Sequence, residues 1–357
     1  MTQTLAGAYE LVIVDLDGVV YLGIEAVPGA PAAIRSILDA GAKVAYATNN
    51  ASRGADEVAA LLESLGVPAR ADQVLTSARA AAELLAVDLP KSAPVLVVGA
   101  PALRAEISAV GLTPVAGAAE RPLAVVQGYG PEVGWADLAE ACVAIRAGAR
   151  WVATNTDATL PSPRGALPGN GSLVAAVAAT LGRGPDVVVG KPQPTLFEVA
   201  ARGAERVLVV GDRIDTDMEG AVEAGMDGLL VLTGVSSPSD VLSASVHQRP
   251  THLAVDLSGL SAADTTSRVP NWDNDRGGAR AGGWRSSGDG DHLVLEGEGA
   301  LIDALRVLAA AAWAHPEWTG IATGGAEAQD AIDSLGLTRF AGWSVRAASA
   351  ASADHRS

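Results

Sequence analysis

Short β-branched runs alternate along this chain with Ala-, Leu- and Glu-rich stretches, and polar residues collect where the runs stop. LVIV (11–14), KVAYAT (43–48), VLVVG (95–99), AVVQG (124–128), WVATN (151–155), DVVVG (186–190), RVLVVG (206–211) and GLLVL (228–232) read as strands. Their near-continuous apolar character is that of strands buried on both faces. Helices are expected at 28–41, where prolines open the stretch and Gly41 closes it, and around 54–65 and 77–87. Strands alternating with helices imply parallel sheets covered on both sides, so the fold class is α/β. In such sheets a ligand site forms where the carboxyl ends of strands meet loops.

Four of those ends carry chemistry. The first is Asp15-Leu16-Asp17-Gly18. Residues i and i+2 of a strand share a face, so a curl after Asp15 lets Asp17 lean over whatever Asp15 holds. One carboxylate can then attack while the other donates and accepts a proton. The second is Thr48-Asn49-Asn50, whose hydroxyl and backbone N–H groups can hold phosphate oxygens. The third is Lys191 in VVVGKPQP, a point charge suited to phosphate. The fourth is GDRIDTD, with Asp212 at a strand end and Asp215 and Asp217 after it. Hard oxygen ligands of this kind suit Mg²⁺. Each has a plainer reading when taken alone: solvated turn carboxylates, a Thr/Asn loop or helix cap, a surface lysine, helix-capping acids. Four such stations in one chain, each at a strand end, outweigh those plainer readings.

Asp, Thr, Lys and Asp in this order resemble the four motifs of the haloacid dehalogenase superfamily. The opening segment is similar to its DxDGV, and TNNASR to the second motif of its p-nitrophenylphosphatase-like, type IIA branch. GKPQPTLF and GDRIDTD complete the set, and the resemblance covers about residues 9–260. It implies a Rossmann-like core and Mg²⁺-dependent phosphoryl transfer through an aspartyl-phosphate. Asp15 would be the nucleophile and Asp17 the general acid and base. Thr48, Asn49 and Lys191 would bind phosphate. Asp15, the Asp17 carbonyl and Asp212 would bind the metal, and Asp217 would orient Lys191 or the metal's surroundings.

Spacing places the lid. Only 31 positions separate Asp17 from Thr48, which one helix and one strand consume, whereas 143 separate Thr48 from Lys191. The expected organisation is a core at 9–79 and 185–262 and an inserted α/β cap at 80–184, of the C2 type in the family's terms. A small α/β appendage follows at 266–357. The cap stretch NTDATLPSPRGALPGNG resembles the branch's N-x-D…P…PG-x-G signature, with Asn155, Asp157, Pro161, Pro168, Gly169 and Gly171 in the matching positions. Asn155, Asp157 and Arg164 are therefore candidates for a specificity loop, with a solvated arginine the plainer reading of Arg164. VVQGYGPEVGW departs from the branch, placing Gly130 where an aspartate is common. Relatives act on phosphoglycolate, glycerol phosphate, nucleotides or pyridoxal phosphate. With two Phe and four Tyr in the whole chain, and Trp135 and Trp151 the cap's tryptophans, ring stacking is disfavoured. Glycerol 3-phosphate is the expected substrate, with 2-phosphoglycolate next.

Composition narrows the partners. A net charge of -16 opposes binding to a nucleic-acid backbone but leaves room for a small phosphate ester held by local positive charge. The single cysteine, Cys142, cannot form an internal disulfide, which fits a reducing cytoplasm. MTQTLAGAYE lacks the marks of a signal peptide, and no run of about 18 apolar residues points to a membrane. The stretch 265–291, rich in Gly, Asp, Arg and Ser, reads as a linker or an irregular entry to the appendage. Beyond it come HLVLEG (292–297), an Ala-rich helix at 299–314, GIATGG (320–325), a helix to about 335 and a strand near Trp343. That order loosely resembles part of an acyltransferase (GNAT-like) fold. A structural module is the simpler reading, and a homo-oligomer could form through the cap or the appendage. Two rivals stay open: a phospho-accepting signalling domain, which would need no large lid, and a phosphotransferase on the same fold.

Overall fold

The computed structural model describes residues 3–160, 164–339 and 344–348. The chain divides into two compact units, one formed by Met1–Val12, Asp17–Lys43 and Arg206–Ser357, the other by Ile13–Leu16 and Val44–Glu205. The buried strand Leu11–Val14 runs from the first into the second.

In the first unit His252–Ala254, Asp227–Val231 and Val207–Gly211 lie in sequence beside the start of Leu11–Val14. Their pairing is parallel, with Leu208 opposite Asp227 and Leu229 opposite His252. Every residue of Val207–Gly211 is buried, as expected of a strand covered on both faces. The three-residue strand His252–Ala254 was too short to stand out in the sequence.

A second sheet follows in the same unit. Its order is Ala279–Ala281, Trp284–Asp289, His292–Gly297, Gly320–Thr323 and Ser344–Ala347. The first two pairings are antiparallel and the last two parallel. The linker reading of 265–291 is thus corrected: part of it is a β-hairpin turning at Gly282-Gly283, with Ala281 opposite Trp284. The strand hid behind polar composition. Trp284 and Ser286 point inward and Arg285 and Ser287 only half-bury, so the period-2 signal passes through a serine. A Gly-Gly pair between extended segments was the available signal. The strand expected near Trp343 is Ser344–Ala347; Trp343 itself, and Pro161 of the cap signature, lie outside the described residues.

Helix Leu301–Ala314 carries Leu305, Val307, Leu308 and Ala311 into a core that also holds Met218, Leu230, Val241 and Leu253. The appendage therefore shares one apolar core with the parallel sheet. Two side chains fix the helix's register: Trp313 donates its indole N–H to the Val241 carbonyl at 2.9 Å, and Arg306 donates from Nε to the Leu253 carbonyl at 3.2 Å.

In the second unit the end of Leu11–Val14 is followed by Lys43–Thr48 and Val74–Thr76, the last two parallel with Tyr46 opposite Val74. The chain between Thr48 and Lys191 builds a five-stranded parallel sheet of its own. Its order is Val187–Val188, Arg150–Ala153, Ala124–Gln127, Pro94–Val98 and Thr113–Val115. Only two residues of DVVVG are strand, and they pair with Val152 and Ala153 of this sheet. Trp151, fully buried, packs with Leu96, Val125 and Ile145 and donates to Gln127 Oε1 at 3.1 Å.

The shared core predicts the cost of disturbing it. Leu305→Ala should destabilise the chain by about 2–5 kcal/mol, the usual range for a buried leucine. Urea unfolding followed by circular dichroism checks this; a loss below about 0.5 kcal/mol would contradict a shared core.

Candidate active site

In the second unit the loop after Lys43–Thr48 is the centre of a polar network. Thr48 is buried and its hydroxyl accepts the Asn50 N–H at 3.1 Å. Asn49 clamps Lys191 from both sides: its Oδ1 accepts the Lys191 N–H at 2.8 Å and its Nδ2 donates to the Lys191 carbonyl at 3.1 Å. That fixes the backbone from which the lysine side chain projects. Lys191, 4% exposed, places Nζ 2.5 Å from Asp15 Oδ1, and the Asp15 side chain is itself only 12% exposed. A charge taken so far from water needs an opposite charge beside it.

The lid loop joins the same network. Asn49 Nδ2 also donates to Asp157 Oδ2 at 3.2 Å, and Asn155 Nδ2 donates to the Asn49 carbonyl at 2.7 Å. Asn155 is held in turn by Asn170, which donates to its carbonyl at 2.7 Å. Asn155 and Asp157 are thus bound to the loop that carries Thr48. Arg164 lies in the lid loop and is exposed. Sequence reading gave Asn49 a phosphate role; its clamp on Lys191 was not legible, because partners 142 residues apart leave no local pattern.

In the first unit Asp17 is exposed at the start of a turn, where Gly18 takes φ +86° and its N–H reaches the Tyr21 carbonyl at 2.9 Å. Only glycine adopts that angle without strain. Asp212 is buried at the end of Val207–Gly211. Its carboxylate sits in a cradle of backbone: Oδ2 accepts the Val235 N–H at 2.7 Å, and a Cβ on Gly234 would stand 1.8 Å from the same oxygen. Thr233 Oγ1 donates to the Gly18 carbonyl at 2.6 Å, tying this segment to the chain beside Asp17. Thr233, Gly234 and Val235 were missed in the sequence; the Thr-Gly pair closing GLLVL was the signal.

Asp217 is fully buried, and Asp212 and Asp217 each offer a carboxylate oxygen within 4.8 Å of the other's. Two buried carboxylates at that separation repel unless a cation stands with them, and their hard oxygens suit Mg²⁺. Asp217 Oδ2 also accepts the Arg213 N–H at 3.1 Å. Asp215 faces elsewhere: Arg213 grips it with Nε at 3.0 Å and Nη2 at 2.7 Å. Hydrogen bonding and charge from that guanidinium hold the Asp215 carboxyl below its usual range.

Comparison with known proteins bears on the whole chain. The haloacid dehalogenase-like hydrolase family matches residues 12–113, and a HAD-hydrolase-like family matches 188–260. A GCN5-related N-acetyltransferase-like domain matches 281–337. The D-glycerol 3-phosphate phosphatase of Mycobacterium tuberculosis is 47% identical over 316 residues, covering 87% of this chain and 88% of that protein. The 5'-nucleotidase YutF of Bacillus subtilis is 37% identical, covering 68% of this chain and 94% of its own length. Among solved structures, a glycerol phosphate phosphatase from Mycobacterium tuberculosis in complex with magnesium superposes with TM-score 0.87 at 42% identity, covering 94% of this chain and all of that one. A 4-nitrophenylphosphatase from Thermotoga maritima gives TM-score 0.67 at 32% identity, covering 72% and 98%.

The geometry separates neighbours that look alike in sequence. Asn49→Ala removes the clamp on Lys191 and should destabilise the fold by about 1–3 kcal/mol. Asp215→Asn breaks only a surface pair and should cost less than about 0.5 kcal/mol. Denaturant unfolding of both variants checks the contrast; equal losses would refute it.

Proposed function

The chain belongs to the haloacid dehalogenase-like hydrolases and is an enzyme of their phosphatase type, and from that premise we propose that it hydrolyses glycerol 3-phosphate. The observation that carries the substrate is the 47% identity, over 87% of this chain, to a D-glycerol 3-phosphate phosphatase. Of the two tryptophans at 80–184, Trp151 is used up in an apolar core and offers no ring face to a nucleobase or pyridine ring, while Trp135 is exposed. No helix among the described residues is long and apolar enough to cross a membrane.

The residue roles follow from chemistry. Asp15 Oδ attacks phosphorus, forming an acyl-phosphate bond as the P–O bond to glycerol breaks. Asp17 gives its proton to the departing alkoxide, then takes one from the water that attacks the aspartyl-phosphate, releasing inorganic phosphate and restoring Asp15. Lys191 Nζ, Thr48 Oγ1 and the backbone N–H groups near Asn49 hold the phosphoryl oxygens. Asp15, the Asp17 carbonyl and Asp212 would hold Mg²⁺, with Asp217 steadying that ligand set, and the ion would supply positive charge against the phosphoryl oxygens. Catalysis in this scheme is mostly positioning and charge stabilisation. The Lys191–Asp15 pairing and the buried Asp212 and Asp217 support it. Asn155, Asp157 and Arg164 are the proposed specificity residues of the lid.

Phosphate release from a panel of esters with Mg²⁺ tests the proposal. Glycerol 3-phosphate should give the highest kcat/KM, with Asp15→Asn and Asp17→Asn each down by at least about a thousandfold, as expected when a reacting group is removed. Chelation of the metal should abolish turnover reversibly. A tenfold or greater preference for nucleotides or pyridoxal phosphate would overturn the substrate, and substantial turnover in either folded variant would overturn the roles.

A further inference from the structure

We infer that Trp313, on the appendage helix Leu301–Ala314, is a positioning residue for the Asp212 carboxylate, acting through residues 233–242. The inference rests on the reading of Asp212 as a magnesium ligand. Segment 233–237 is what places that carboxylate: the Val235 N–H holds Oδ2 at 2.7 Å, and the Ser236 N–H holds the Asp212 carbonyl at 3.0 Å. Ser236 Oγ accepts the Ile214 N–H at 2.9 Å, and Thr233 Oγ1 holds the Gly18 carbonyl at 2.6 Å, one residue past Asp17. With Gly234 pressed against the carboxylate, any shift of this segment moves the oxygens it cradles.

Apart from these hydrogen bonds the segment has no buried side chain to anchor it. Gly234 has no side chain and Val235 is 69% exposed. Its anchor is the next element, the helix Pro238–Leu242, joined to it by Ser237 as N-cap: the Ser237 N–H donates to Asp240 Oδ2 at 2.8 Å. A five-residue helix is far below the length that is stable alone, and its Val241 carbonyl, met from the following turn by the Ala244 N–H at 3.3 Å, has a lone pair left for a second, shorter bond. The appendage supplies both needs. Val241 and Leu242 are buried in the core shared with Leu301–Ala314, and the Val241 carbonyl accepts the Trp313 indole N–H at 2.9 Å. The Arg249 guanidinium lies over the Trp313 ring, 5.5 Å from its centroid, and its Nε reaches the Ala244 carbonyl at 3.4 Å. Arg306, on the same helix, is 6% exposed and bonded to the Leu253 carbonyl, so the helix bearing Trp313 cannot slide. A continuous path of packed and hydrogen-bonded groups thus runs from the appendage to the metal-binding loop, entirely within one compact unit.

A merely structural tryptophan would lower stability and leave metal affinity alone, so affinity is the readout. Magnesium binding is measured by calorimetry on the full chain. The wild type must bind Mg²⁺ and Asp212→Asn must not; failure of either sinks the metal reading itself, separately from the positioning. Given both, Trp313→Phe, which keeps the ring and loses the N–H, is expected to raise the Mg²⁺ Kd about three- to tenfold, the size of one lost hydrogen bond. At saturating Mg²⁺ its kcat should stay within about twofold of wild type, since no group that touches substrate has changed. A Trp313→Phe chain with the wild-type Kd overturns the inference, whatever its thermal stability. If that variant does not fold, Arg249→Gln is read by the same criterion: a raised Kd supports the inference and an unchanged one overturns it.

Discussion

A buried cation beside a nearly buried carboxylate is the constraint on which the arrangement of the loop after Lys43–Thr48 depends. Lys191 and Asp15 lie 2.5 Å apart with almost no water to share. Removing either would strip the other of a direct opposite charge, a change that typically costs several kcal/mol. Such a pair is tolerable only if the backbone holds it still, and Asn49 does that by bonding both the N–H and the carbonyl of Lys191. The same amide reaches Asp157 in the lid loop, so the residue that steadies the lysine also ties down the loop proposed to choose the substrate.

The other carboxylates are handled differently. Asp212 is held by the Val235 N–H on its carboxylate and the Ser236 N–H on its carbonyl, with no side chain at Gly234 to displace it. That cradle belongs to a short loop and a short helix that lean on the appendage core. The C-terminal region, which matches an acetyltransferase-like domain, is in this protein a wall of the hydrolase's own apolar core. Its first contribution is mechanical, whatever else it binds.

Much of this was legible in the residues. The alternation of apolar runs and helical stretches gave the parallel α/β class, and Lys43–Thr48 and His292–Gly297 fall where their β-branched runs put them. The 143 positions between Thr48 and Lys191 hold a separate five-stranded sheet, and the spacing pointed to extra structure there. Two kinds of feature escaped. Strands without an apolar signature, such as Trp284–Asp289 with Ser286 facing inward, look like loop. Contacts between distant positions, such as Asn49 with Lys191 or Trp313 with Val241, leave no periodicity to read. The chemistry-bearing residues stood out because charge at the end of a buried strand is costly; the residues that hold them in place are ordinary in type and significant only by position.

The claim at the centre of the account is that Asp15 becomes covalently phosphorylated. The most direct measurement is acid quench of the enzyme during turnover of ³²P-labelled glycerol 3-phosphate, followed by borohydride reduction and peptide mapping. A base-labile acyl phosphate on Asp15 is expected, with reduction converting residue 15 alone. Turnover without a trapped acyl phosphate, or label on any other side chain, would contradict it.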